Sequence, residues 1–127
     1  MNNNEMNAEV LRSQQIEVLQ VVSEYIEKLI PNMETVAGEL RGEKQEDTDE
    51  FLKQIIDGLN WVIEAFNGTM SLINEEREVI DKDELNREVL QLSEALIDHN
   101  DARAATVLES GILPFLKEFK SISAMYH

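Results

Sequence analysis

Phe51-Leu52-Lys53-Gln54-Ile55-Ile56-Asp57-Gly58-Leu59-Asn60-Trp61-Val62-Ile63-Glu64-Ala65-Phe66 is the stretch on which the reading of this chain turns. Leu52, Ile55, Leu59, Val62 and Phe66 recur at steps of three and four, and Met70 and Ile73 carry the same stripe onward. That period belongs to an amphipathic α-helix, because residues three and four apart share a helix face, whereas a strand would alternate every second residue. Asp47-Thr48-Asp49-Glu50 supplies a capping signature ahead of it, and the pattern extends to about Glu78.

The arc of apolar residues on this helix is wider than one stripe. On a wheel of about 100° per residue, Trp61 and Leu72 lie roughly 120 to 140° from the centre of the main stripe, with Phe51, Gly58 and Ala65 bridging the two regions. A helix on the outside of a bundle needs an apolar stripe of about 100° or somewhat more. The surplus calls for a cover. Either the helix sits centrally among three neighbours, or Trp61, Leu72, Ala65 and Gly58 form an interface with a second copy or another protein, since aromatic residues are favoured anchors there.

The rest of the chain follows the same period. A first helix is expected from about Ala8 to Arg41, through Leu11, Val18, Val22, Tyr25, Leu29 and Val36, with Gly42 just past its end. Pro31 removes the amide that would bond the Glu27 carbonyl, so a kink or break is expected near Ile30. Asp81-Lys82-Asp83-Glu84 opens a third helix carrying Leu85, Val89, Leu92 and Leu96, and His99-Asn100-Asp101 breaks it, with Asp101 as the expected cap of the fourth. That last helix carries Ala105, Leu108, Ile112, Phe115, Phe119, Ile122 and Tyr126, and Gly111 and Pro114 predict an irregularity in it. Four helices with short polar connections give an all-α, antiparallel up-and-down four-helix bundle, because short connections make consecutive helices neighbours. The chain of 127 residues fits one such domain, with residues 1–7 expected to be disordered.

Gly58-Leu59-Asn60-Trp61-Val62-Ile63-Glu64-Ala65, and Asn100-Asp101 followed by Val107-Leu108-Glu109-Ser110-Gly111-Ile112-Leu113-Pro114, resemble a group of small, uncharacterised, all-helical bacterial proteins. The resemblance implies the bundle fold and brings no activity with it. In size, acidity and helicity the chain is also loosely similar to small export chaperones such as those of flagellar assembly.

Charge narrows the function classes. The chain holds 26 acidic and 11 basic side chains, a formal net charge of −15, while 43% of its residues are hydrophobic. Such a chain repels phosphate backbones and anionic lipid, so neither nucleic acid nor membrane is an expected partner. It has no cysteine, which removes thiol catalysis, disulfides and Cys-ligated metal, and suits a cytoplasmic protein. Met1 to Asn7 has no basic run and leads into no long apolar stretch, so no export signal is read there.

No motif calls for a cofactor or metal. Bundle di-iron sites need Glu-x-x-His, and neither His99 nor His127 has a glutamate three residues before it. An EF-hand at Asp81 fails because Asn86 replaces the loop glycine and Leu92 the final carboxylate. His99 reads as an exposed loop histidine. One enzyme class survives as the alternative, an all-helical magnesium-dependent nucleotide pyrophosphohydrolase, through the strings Glu24-Tyr25-Ile26-Glu27 and Glu78-Val79-Ile80-Asp81. The expectation is a non-catalytic protein-interaction module, whether adaptor, chaperone-like protein or homodimer.

Overall fold

The computed structural model describes residues 3–42, 44–75 and 79–126. Four helical rods account for the regular structure among them: α1, Asn3–Arg41; α2, Thr48–Ile73; α3, Lys82–Ile97; and a fourth made of α4, Asp101–Val107, a π-helical turn, Leu108–Ile112, and α5, Leu113–Ser123. No strand occurs among the described residues. The fold is an all-α bundle.

Side-chain pairs fix its directions. Between α1 and α2 the contacts Arg12–Glu75, Gln15–Ser71, Tyr25–Trp61 and Glu39–Thr48 fall in opposite chain order, so the two helices run antiparallel. Glu94 meets Arg103 at 3.0 Å, and Glu88 lies against Gly111, which makes α3 and the fourth rod antiparallel too. At one end of the bundle Arg41 reaches Thr106 and Glu109, and Lys44 bridges Asp49 at 2.7 Å and Asp101 at 3.4 Å. The Asp49 carboxylate, more than Asp101, holds the Lys44 ammonium above its ordinary range.

α1 is the central rod. It packs against both α2 and the fourth rod, while α3 packs on the fourth rod. The central place considered for α2 therefore belongs to α1. Leu19, Val22, Ile26, Met33 and Val36 of α1 are wholly buried, as are Val62 and Phe66 of α2 and Leu108, Ile112, Leu116 and Phe119 of the fourth rod. α2 reaches that rod through rings: Phe66 stands edge-on to Phe115 and Phe119, with centroids 5.5 and 5.4 Å away. Such edge-to-face pairs add to the area they bury.

Local chemistry explains the ends. Thr48, fully buried, accepts from the Gln45 amide and donates to Glu39 Oε1, both at 2.7 Å. Asp47 caps with its backbone alone. α2 ends at Ile73, short of Glu78, because Asn74 turns the chain: its Oδ1 accepts from the Val79 and Ile80 amides. Asp81 caps α3 as expected, accepting from Asp83 and Glu84. The cap of α4 is Asn100, whose Oδ1 accepts from Arg103 at 3.0 Å, and Asp101 becomes the first helical residue. α3 closes in a Schellman motif, with Asn100 N–H on Ala95 and His99 N–H on Leu96, and His99 takes the left-handed position at φ 52°.

The two prolines behave differently. Of the kink or break expected near Ile30, no break occurs: α1 runs through Pro31 as one helix. Pro31 and Glu27 both lie on the exposed side of α1, where a carbonyl left without a partner is open to water instead of core, and Thr35 Oγ1 donates to the Pro31 carbonyl at 3.0 Å. In the fourth rod the Leu113 amide reaches back five residues to Leu108, and Pro114 follows within the first turn of α5. α1 also begins at Asn3, inside the stretch expected to be disordered, whereas Met1 and Asn2 lie outside the described residues.

Candidate functional site

The antiparallel pairing of α1 and α2 leaves one of their shared faces without a third helix among the described residues. Leu11, Val18 and Tyr25 line α1 at seven-residue steps and are 52%, 38% and 37% exposed, and Val10 and Val21 flank them at 55% each. Opposite them on α2 stands Trp61, 41% exposed. These residues form an apolar strip, since positions seven apart lie nearly one above another on a helix.

Tyr25 organises the middle of this strip. Its ring meets Trp61 edge-on, with centroids 5.1 Å apart and planes 70° apart. Its phenol lies over Gly58, where any Cβ would collide with the hydroxyl and approach Cζ to 3.1 Å. Gly58 thus leaves room on α2 for the hydroxyl end of the tyrosine. Two shallow grooves flank the aromatic pair, one lined by Val21, Tyr25, Gln54, Asp57, Gly58 and Trp61, the other running from Leu11 and Val18 past Trp61 to Glu64, Ala65 and Thr69. At the far end of the second groove Gln15, 7% exposed, donates to the Gly68 carbonyl at 3.1 Å and to Ser71 Oγ at 2.9 Å, pinning the register of the two helices. A third depression continues along α1 between Glu9, Val10, Ser13, Gln14 and Glu17.

Of the four residues singled out on α2, the fold gathers three here. Trp61 is surface, Gly58 and Ala65 are buried but line the grooves, and Leu72 is not part of the face: it is 5% exposed and belongs to the core. Trp61 and Leu72 share an azimuth, but the core closes over the last turn of α2. What sequence reading missed was the contribution of α1, although Leu11, Val18 and Tyr25 were already visible as a seven-residue series.

A second, acidic cleft separates α3 from the π-helical turn. Asp81, Glu84, Glu88 and Glu118 line it with Ser110 and Pro114, and the Glu88 carboxylate rests on Gly111, where a Cβ would overlap it. Among the described residues no three His, Asp or Glu side chains are placed to hold one metal ion. Of the strings that suggested a hydrolase, Glu24 and Glu27 are exposed on α1, Asp81 is engaged as a cap, and Glu78 lies outside the described residues. No described helix is long and apolar enough to cross a membrane.

Sequence comparison assigns the fold to a family. The chain belongs to the DUF8042 family. The family model, described as a domain of unknown function, matches residues 17–122, which takes in Val18, Val21, Tyr25 and Trp61 and leaves out Val10 and Leu11. No curated protein and no solved structure shows detectable similarity to the chain.

Proposed function

We propose that this DUF8042 chain is a non-catalytic protein-interaction module, an adaptor or chaperone-like bundle of the cytoplasm, whose working surface is the α1–α2 face centred on Trp61. One observation carries the reading: Trp61 stands 41% exposed, seated by Tyr25 inside a strip of Leu11, Val18 and Val21 that the described helices leave uncovered. Scattered apolar residues are ordinary on protein surfaces, but a contiguous strip around an aromatic anchor is the pattern of a contact site. The hydrolase alternative has weaker support, since one of its carboxylates is engaged in capping α3 and two others project from the outer side of α1.

The test uses Val18→Asp combined with Val21→Asp, two exposed positions whose change leaves the core intact. Immobilised wild type and double variant, matched by thermal melt, are exposed to extract of the source organism, and the wild type alone is sedimented. The reading expects a protein, or a second copy of the chain, held by the wild type and lost from the variant. A monomeric wild type that retains the same proteins as the variant contradicts it.

A further inference from the structure

We infer that the occupant of the α1–α2 face is a basic amphipathic α-helix from another protein, an inference that rests on the interaction reading above and names its partner. The grooves around Trp61 and their continuation along α1 are lined by four charged side chains, Glu9, Glu17, Asp57 and Glu64, and all four are carboxylates. Arg12, beside Leu11, pairs with Glu75 at 3.3 Å, while Lys28, seven residues after Val21, and Lys53, four before Asp57, border the face without lining its grooves. Trp61 lies four residues after Asp57 and three before Glu64, so carboxylates stand on both sides of it along the ridge of α2. A lysine or arginine laid over the exposed indole would meet the negative ring face and a carboxylate together.

Shape points to a helix. The strip from Leu11 to Tyr25 is about 21 Å long at ~1.5 Å per residue, and its seven-residue repeat is the spacing that a facing helix presents at its own apolar seam. Charge argues against the other occupants. A second copy would bring the same four carboxylates, and a further net charge of −15, against the first. Anionic lipid and nucleic acid meet the same repulsion.

A displayed library of tryptophan-free helical peptides separates these outcomes. Its apolar seam is fixed, and each flanking position is Lys, Gln or Glu. It is selected on wild type, on Trp61→Ala, and on Glu17→Gln/Asp57→Asn/Glu64→Gln, with folding of each confirmed by circular dichroism. Enrichment of lysine on wild type is expected, with about tenfold weaker binding to Trp61→Ala, since that loss is one buried side chain's worth. Neutralising the three carboxylates should weaken binding about fivefold at low salt and flatten its salt dependence, as rim charges each contribute modestly and are screened. Trp61-dependent peptides with glutamate or uncharged flanks would overturn the basic occupant and leave the docking face standing. A wild-type dimer broken by Trp61→Ala would assign the face to a second copy. The absence of any Trp61-dependent peptide, with a monomeric wild type, would remove both the occupant and the docking reading.

Discussion

The phenol of Tyr25 rests on the bare backbone of Gly58, and from there its ring props Trp61 at 5.1 Å. One residue without a side chain thus sets the shape of the exposed face, and the effect is separable from helix stability. Gly38, in α1, faces open space: apart from its own helix turn, no described atom lies within 4 Å of where a Cβ would stand. Gly38→Ala should therefore gain the full helix-propensity difference, about 1 kcal/mol. Gly58→Ala should gain the same and lose part of the Tyr25–Trp61 pairing, worth roughly 0.5 to 1.5 kcal/mol, for a net change near zero. Urea unfolding of the two variants checks this, with Trp61 emission reporting the displaced tyrosine in Gly58→Ala alone. Equal stabilisation with unchanged emission would mean that Gly58 does not seat the ring.

His99 occupies a backbone region that costs an L-residue roughly 1 to 2 kcal/mol and costs glycine nothing sterically. Its side chain is exposed, so replacing it removes no core contact. His99→Gly should stabilise the chain by about 0.5 to 1 kcal/mol after the extra unfolded-state entropy of glycine is subtracted. A lower urea midpoint for the variant would show that the imidazole contributes more than the strain.

Ser123, the last residue of α5, is fully buried and its Oγ has no hydrogen-bond partner among the described residues. A buried hydroxyl without a partner costs about 1 to 3 kcal/mol of desolvation. Ser123→Ala is expected to hold or raise stability by up to about 1 kcal/mol, read from the thermal midpoint. A fall of that size would reveal a bond that the serine makes in solution.

Much of the fold was legible because periodicity and caps are local. The series Leu52 to Ile73 oriented α2, and Asp81 announced α3. Whether Pro31 would break its helix was not legible, because its cost depends on whether the Glu27 carbonyl meets water, which only the packed bundle decides. Leu72 was misread for a related reason. A helical wheel discards height along the axis, and Leu72 shares its angle with Trp61 while sitting at the turn that Asn74 folds back toward α3. The face itself needed two helices at once, so α2 alone showed Trp61 without showing that Tyr25 and Val21 complete its surroundings.

Trp61 is the chain's single tryptophan, so its fluorescence reports this face and no other. The most direct measurement is acrylamide quenching of Trp61 in the free chain and with a saturating tryptophan-free, lysine-flanked amphipathic peptide. The account predicts efficient quenching in the free chain, a shift of emission to the blue on binding, and quenching reduced severalfold in the complex. A peptide that saturates the chain while Trp61 emission and quenching stay as they were would place binding elsewhere and contradict the account.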